Sequence, residues 1–500
     1  MSAIYSHYSA FAGASQARQS FPLTTPGRRA RIKGRLCIFI KVCGTKVYKK
    51  SVSLTEGSVA RGMLVFAVPL FFSNLFQQLY NAVDSLIVGN FLGENALAAV
   101  GSSGSLIFLL TGFVNGVSLG AGVLVARYYG AKDESALRRA VHTTVALGLT
   151  AGLVLTVVGV VLTPQILRWM GTPAEVMPNS VAYFRMYFLG SLAVVMYNVG
   201  ASILQSVGDS RSPMYYLITA SVLNVVLDLF FIAGLGMGVG AAALATIISQ
   251  TVSAVLAFRK LSMTQAPYGV HWRDVRFHGP TLRAVVVQGV PSGVQNSVIS
   301  LANVIVQANI NSFGAQAMAG CGAYSKVEGF AFLPVTCFAM ALATFISQNI
   351  GAGKLDRVRH GMRFGIVTSA LLAEGVGVAM FLLAPWLIGA FNSEPEVIAF
   401  GVRQARTVSL FYCVLAFSHC SAGILRGLGR PMVPMIVMLM VWCAFRITYI
   451  TVTLRFIPHI GVIFWAYPIT WVMTTVIFAW YLTHCPLPSP GGGAPGHHAA

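Results

Sequence analysis

The chain has 500 residues, of which 56% are apolar and only 10% are charged, and its mean hydropathy is +0.72. A surface of that composition excludes a water-soluble protein of this length and indicates a polytopic membrane protein. The formal net charge of +20 could suggest a nucleic-acid partner, but the placement of the basic residues, described below, favours another explanation.

Residues 1–53 contain scattered Ser, Ala and Arg and no long apolar run. A segment so poor in acids and rich in Arg could be a transit peptide or a tether to anionic lipid. We interpret it instead as a disordered basic extension, of the kind that an upstream start codon would produce. Residues 484–500, rich in Gly and Pro, are predicted to be a disordered tail.

Apolar runs of roughly 20 residues recur after this extension, and each is long enough to cross a bilayer as an α-helix. They are rich in Leu, Val, Ile and Gly and do not alternate as barrel strands do. The sequence therefore predicts an all-α protein with twelve transmembrane helices. The predicted spans are centred near Phe76, Thr111, Gly152, Ala193, Leu223, Ile248, Leu301, Pro334, Val376, Val414, Val441 and Thr470.

The 34 Lys and Arg residues are distributed unevenly over the loops. Most of them precede the first span or lie in loops after even-numbered spans, whereas loops after odd-numbered spans hold only Arg168 and Arg455. By the positive-inside rule, both termini are expected to be cytoplasmic and the protein to lie in the cytoplasmic membrane. The basic excess is thus mainly a topology signal, and no nucleic-acid partner is predicted.

An internal repeat relates the two halves of the chain. A shift of 221 residues superposes several glycines, prolines and apolar pairs, and one residue of slippage also superposes Pro69 on Pro291. Since each half has six spans, the halves are parallel repeats, an arrangement that suits two lobes rocking about a central cavity. The predicted organisation is an N-lobe at 54–260, a cytoplasmic linker at 261–281 and a C-lobe at 282–483.

Polar residues that interrupt the spans of the first half are candidates for a functional site. Their repeat partners at the 221-residue shift are Ile305 (or Val306 after slippage), His419, Phe445, Tyr449 and Tyr467, none of which is a carboxylate. This asymmetry favours a function specific to the N-lobe. The candidate residues are Asp84, Asn198, Asn224, Asp228 and Thr246.

Helix geometry predicts that several of these side chains converge. Asn224 and Asp228 share one helix face, Thr246 is as far from the glycine-rich turn after that helix as Asp228 is, and Asp84 lies in the same half of the membrane. An intramembrane carboxylate is normally paired, protonated or bound to a cation. Two functional interpretations remain open, a Na⁺ site and a proton-carrying carboxyl pair. The structural alternative is a protonated Asp that only joins helices.

The second half offers a candidate substrate cavity at Glu328, Lys326 and Glu374, whose acids have apolar repeat partners. Lys326 and Glu328, two residues apart on a helix, do not face each other. No phosphate-binding loop, cysteine metal motif or nucleophile–base pair is present. No enzymatic activity and no cofactor are therefore predicted.

Three stretches of the first half resemble the multidrug and toxic compound extrusion (MATE) family: AVPLFFSNLFQQLYNAVDSLIVGNFLGENALAAVG, GASILQSVGDSRSPM and NVVLDLFFIAGLGMGVGAAALATIISQ. The pattern returns in SQNIGAGKLDRVR and GILRGLGRPMVPM, so that the resemblance covers about residues 54–482. Asp84 and the Asn224-x-x-x-Asp228 motif are most similar to the DinF-like branch. The resemblance implies two lobes that open alternately to either side and a cation site formed by the five N-lobe residues named above.

The function expected from these observations is an antiporter that exports organic cations in exchange for Na⁺ or H⁺. Its partners would be small cationic substrates and membrane lipid, and it would act as a monomer. The alternative is a flippase for lipid-linked or polysaccharide precursors, which shares the two-lobe plan in more distant relatives. A flippase cavity for anionic headgroups should be rich in Arg and Lys, whereas few basic residues lie in these spans.

Overall fold

The computed structural model describes residues 53–169, 172, 175–484 and 486–487, without the side chains at 94–95, 97–99 and 101–110. The predicted N-terminal extension and C-terminal tail lie almost wholly outside these residues. Within them the chain forms long helices joined by short turns. In chain order the helices are α1 (Val59–Leu92), α2 (Glu94–Ala131), α3 (Glu134–Trp169), α4 (Met177–Leu189 with Ser191–Ser206), α5 (Arg211–Gly234), α6 (Gly240–Met263), α7 (Gly279–Asn311), α8 (Ala315–Gly351), α9 (Leu355–Gly389), α10 (Pro395–Gly427), α11 (Met432–Phe456) and α12 (Gly461–His484).

Nine of the helices in the described part of the chain are long and apolar enough to cross a membrane, and the bent α4 makes ten. The remaining two, α2 and α7, are 38 and 33 residues long. Each predicted span centre lies on one of the twelve helices, which confirms the predicted all-α fold. The last helix of the first half ends at Met263 and the first helix of the second half begins at Gly279, beside the predicted linker.

Corresponding helices of the two halves are interrupted, α4 and α10 at equivalent positions and α5 and α11 at different ones. Helix α4 bends by 45° at Gly190, and α10 changes to a 3-10 turn at Ser409–Phe411. Helix α5 ends in a π-helical turn, Leu229–Gly234, and α11 contains another at Leu439–Phe445. The two π turns are not at equivalent positions, which affects the register of the two halves as described below.

The two lobes meet around a pseudo-two-fold axis at the ends of α2 and α8. A Cβ atom added at Gly130 would overlap the carbonyl oxygen of Gln348, and one added at Gly351 would overlap that of Arg127. The 221-residue shift relates Gly130 to Gly351 and Arg127 to Gln348, so the two-fold axis of the repeat maps this contact onto itself. Only glycine allows the two backbones to cross this closely.

Helices α1 and α7 each belong to both lobes. The first half of α1 packs in the C-lobe core through Met63 and Leu70, whereas Val88 packs in the N-lobe core with Phe184. Correspondingly, α7 contributes Val285 to an N-lobe cluster and its later residues to a C-lobe cluster. The two helices therefore connect the lobes mechanically, and Asp84 lies on the N-lobe part of α1.

Hydrogen bonds between the lobes lie between the middle of the helices and the end that carries the basic loops 132–133, 264–278 and 352–354, here called the basic end. Ser347 donates to the carbonyl of Val123, and Gln348 donates to that of Ser206, both at 2.6 Å. No bond between the lobes in the described part of the chain lies nearer the opposite end, here called the far end. The lobes are thus joined at the basic end.

Candidate functional site

Helix α5 presents two polar side chains to the interior of the N-lobe. Asn224 and Asp228 are four residues apart, so they lie one above the other on the same face, and they are 1% and 0% exposed. The α-helical part of α5 ends at Asp228, and the π turn begins at the next residue. Such turns often occur at functional sites because they re-aim the side chains around them.

The structure brings Asp84 of α1 next to Asp228. Their carboxyl groups interact directly with each other, and Asp84 is only 8% exposed. Two carboxylates in direct contact repel each other strongly inside a protein, so a proton or a cation must lie between them. Within the described part of the chain, neither acid forms an ion pair with Lys, Arg or His.

Several oxygens of this cluster lack a hydrogen-bond donor among the described residues: Oδ1 of Asp84, both carboxylate oxygens of Asp228 and Oδ1 of Asn224. The Asn224 amide group donates to Thr246 Oγ1 at 3.3 Å, which leaves its carbonyl oxygen free to accept. Buried oxygens without donors are the ligands that hard cations such as Na⁺ prefer. The residues present therefore fit either a small cation or a shared proton.

Asn198, the fifth predicted residue, makes a different contact. Its amide donates to the carbonyl of Val194 in its own helix at 2.8 Å, a bond that does not join it to the acids. Its predicted role in cation binding stays a prediction.

Two polar residues beside the site were not predicted from the sequence: Tyr80, a neighbour of the acids, and Gln250, which contacts Tyr80. Tyr80 interacts electrostatically with both Asp84 and Asp228, and its hydroxyl lies 3.5 Å from the Gln250 amide nitrogen. Helical spacing could have identified them, because Tyr80 is one turn before Asp84 and Gln250 is one turn after Thr246. A tyrosine hydroxyl beside the pair can donate to whichever carboxylate is ionised.

The π turns correct the predicted repeat partners of α5. Buried positions of α5 and α11 match at an offset of 221 as far as Ser221 and Trp442. The π turn of α11 comes earlier in its helix than the π turn of α5 does, and it adds one residue. For the positions of α5 between Ser221 and its own π turn, the offset to α11 is therefore 222. The partner of Asn224 is therefore Arg446, not Phe445, and that of Asp228 is Ile450, not Tyr449. Arg446 and Ile450 are both 1% exposed, and are therefore as buried as Asn224 and Asp228 in the first half.

The C-lobe thus reverses the polarity of the N-lobe site. Arg446 donates to Thr470 Oγ1 at 2.7 Å and lies over the rings of Trp442 and Tyr467. The position of Asp84 is taken in α7 by Val306, the partner after slippage, which packs in an apolar cluster. At the C-lobe positions, a cation would meet a buried guanidinium in place of two carboxylates. Of these equivalent positions in the two lobes, only those of the N-lobe offer a cation site.

The three predicted cavity residues of the C-lobe each contact a different part of that lobe. Glu328 accepts a 2.8 Å hydrogen bond from Tyr324, whose hydroxyl also lies 3.2 Å from that of Tyr412. Glu374 accepts the backbone N–H of Cys413 at 3.1 Å, just after the 3-10 turn of α10. Lys326 is exposed, with its ammonium 5.9 Å from the Phe391 ring.

Of these three, Glu328 is the one that also interacts with Arg446 across the C-lobe interior. Glu374 caps a helix break, a structural contact, and Lys326 reaches toward the end of α9. Their predicted role in substrate binding stays a prediction.

Comparison with known proteins agrees with this architecture. A family model described as MatE matches residues 69–230 and again 291–452, once in each repeat. The probable multidrug resistance protein YoeA of Bacillus subtilis is 29% identical over 390 residues, covering 77% of this chain and 84% of that protein. The probable multidrug resistance protein NorM of Thermotoga maritima is 27% identical, with 77% and 84% covered.

A solved structure of a MOP superfamily transporter from Pyrococcus furiosus superposes with a TM-score of 0.82 at 22% identity, covering 88% of this chain and 98% of that one. That likeness concerns the fold, and it agrees with twelve helices in two lobes. The two matches to the family model together span more than half of the sequence. The chain therefore belongs to the MATE family of multi-pass membrane transporters and is not an enzyme.

Proposed function

We propose that this transporter exports organic cations in exchange for Na⁺ or H⁺ that binds between Asp84 and Asp228. The observation that carries the proposal is the buried pair of carboxyl groups whose oxygens lack donors in the described part of the chain. Such a pair is costly inside a membrane unless it binds a cation, so it is poised to take one up. The proposal places the chain in the DinF-like branch, with both termini in the cytoplasm and the monomer as the active unit.

Coupling follows from the position of Asp84 on a helix shared by the lobes. A bound cation would hold the far half of α1 against α5, while the first half of α1 is fixed in the C-lobe core. The ion drives transport only if its affinity differs between the two arrangements of the lobes. The cation would pull the far half of α1 toward α5, and this changes the angle between α1 and the C-lobe. The affinity for the cation would therefore differ between the two arrangements of the lobes.

The cargo would bind between the lobes, on the far side of the lobe contact. Tyr80 and Tyr183 lie near the acid pair, and tyrosine rings beside carboxylates attract lipophilic cations by cation–π and charge interactions. Competition between the cargo and the coupling ion for the same carboxylates would make the exchange obligatory.

The test is dye efflux from proteoliposomes under separately imposed Na⁺ and pH gradients. One of the two gradients should drive efflux of a cationic dye by the wild-type protein. Asp84→Asn and Asp228→Asn, which preserve side-chain volume, should abolish gradient-driven efflux. The matched control is Val306→Thr, an isosteric change at the C-lobe partner of Asp84, which should retain it. Efflux by both Asn variants at the wild-type rate would show that the pair is structural.

Buried Arg446 favours a second candidate, the flippase for anionic headgroups. It contacts no carboxylate within ion-pair distance among the described residues, so a cargo phosphate could pair with it. Arg446→Gln separates the two functions. It should leave cation efflux intact under the antiporter proposal and abolish transport of an anionic lipid under the flippase alternative.

A further inference from the structure

A cavity of about 500 Å³ lies at the far end of the C-lobe, separate from the carboxyl pair in the N-lobe. It opens between α10, α11 and α12 and combines basic, hydroxyl and aromatic side chains. Its lining includes Arg403, Thr407, Tyr449, Thr453, His459 and Trp465.

Two hydrogen-bond donors converge in this cavity. The backbone N–H of Gly461 donates to His459 Nδ1 at 3.1 Å, so in the neutral ring the proton must be on Nε2. That Nε2 lies 3.5 Å from Nη1 of Arg403. A guanidinium and an imidazole N–H cannot satisfy each other, because both donate. An acceptor placed between them would serve both.

The charge of the cavity selects an anionic acceptor. Its lining contains no carboxylate, and neither Arg403 nor His459 forms an ion pair with any described residue. The acids closest in sequence to Arg403 are Glu394, just before α10, and Glu396 in its first turn, and these exposed side chains do not line the cavity. Guanidinium groups bind phosphate oxygens especially well, because their planar N–H groups match the oxygen geometry.

The surroundings of the cavity indicate a membrane lipid as the source of the phosphate. Trp465, 49% exposed, begins a stripe along α12 that continues through Val472, Val476 and Trp480, of which the last two are 62% and 63% exposed. These positions recur at helical spacing on one side of α12, away from the buried residues of that helix. An exposed apolar stripe on a membrane helix faces acyl chains.

The depth of the cavity agrees with a headgroup. Helix α12 begins at Gly461, so Trp465 is about 6 Å below the helix start at 1.5 Å per residue. Tryptophan is enriched at this level, where the hydrocarbon meets the headgroups. We propose that this cavity binds the phosphate of an anionic phospholipid between Arg403 and His459, with the lipid chains along the part of the α12 stripe nearest to Trp465.

The experiment measures lipid binding to the purified full-length protein in detergent by native mass spectrometry and by thermal melting. The probes are dioleoylphosphatidylglycerol, dioleoylphosphatidylcholine and inorganic phosphate. Phosphatidylglycerol should bind the wild-type protein and raise its melting temperature more than phosphatidylcholine does. Arg403→Gln should weaken phosphatidylglycerol binding about tenfold, the effect of losing roughly 1.4 kcal/mol of a charge-assisted interaction.

Arg455→Gln is the matched control, because Arg455 is exposed on α11 but does not line the cavity. It should bind phosphatidylglycerol like the wild-type protein. His459→Ala is a second variant, in an exposed loop, and should weaken binding several-fold with an unchanged melting temperature in detergent alone. Equal phosphatidylglycerol binding by wild type, Arg403→Gln and His459→Ala would overturn the proposal. Equal stabilisation by millimolar inorganic phosphate would overturn the assignment to lipid.

Discussion

The crossing of α2 and α8 at Gly130 gives a quantitative prediction about the contact that joins the lobes. A Cβ at residue 130 would lie 2.7 Å from the carbonyl carbon and 2.8 Å from the Cα of Gln348. Ordinary carbon–carbon contacts are about 3.5–4.0 Å, so Gly130→Ala must push the two backbones apart by about 1 Å. Overpacking of this kind costs about 1–3 kcal/mol. Because the clash exists only while the lobes meet here, we expect it to shift the equilibrium toward separation at the basic end about 5-fold to 150-fold.

The assay for this shift is the thiol reactivity of Ser347→Cys, in a background in which the eight native cysteines are replaced. Ser347 is fully buried at the contact, so its cysteine should react slowly in the parent protein and at least 5-fold faster with Gly130→Ala. Gly375→Ala is the control, since a Cβ there meets no atom within 4 Å. Unchanged reactivity with Gly130→Ala would refute the idea that this crossing holds the lobes together.

Three further predictions address topology, coupling and cargo. In intact cells, a membrane-impermeant thiol reagent should label a cysteine at Glu175 and spare cysteines at Ser135 and Gln265, and the reverse pattern would invert the proposed orientation. Arg357 donates to the backbone carbonyls of residues 54, 56 and 57 ahead of α1, so Arg357→Ala should slow transport several-fold while cargo affinity stays unchanged. A loss of cargo affinity alone would contradict this role. Cells that overexpress the protein should tolerate lipophilic cations better than anions of similar size, and protection against the anions alone would favour the flippase.

Sequence patterns were sufficient for the spans, the repeat and the convergence of Asp84 with Asp228, because each depends on helical periodicity and on segment length. They could not locate the π turns, since one inserted residue leaves the apolar composition of α11 unchanged. Phe445 was consequently aligned with Asn224, although the burial of Arg446 shows that Arg446 is the counterpart. The shared use of α1 and α7 by both lobes was likewise hidden, because it depends on long-range packing.

The N-lobe partners of the acids illustrate a further limit of sequence reasoning. Helical spacing places Tyr80 one turn from Asp84 and Gln250 one turn from Thr246, but only the three-dimensional structure shows that Tyr80 and Gln250 meet. Glu374 was predicted for a cavity because it is an acid in a span with an apolar repeat partner, and in the structure it accepts a hydrogen bond from the backbone N–H of Cys413 in α10. A rare residue type identifies a site to inspect, and its contacts must come from the fold.

Cation release on cargo binding tests the central claim most directly. Purified wild-type protein, titrated with a lipophilic cation in weakly buffered solution, should release about one proton or one Na⁺ per cargo bound, measured with a pH indicator and a Na⁺-selective electrode. Competition at a shared carboxyl pair requires this stoichiometry. Asp228→Asn should release neither ion, and Val306→Thr should behave like the wild-type protein. Cargo binding with no release of either ion from the wild-type protein would contradict the account.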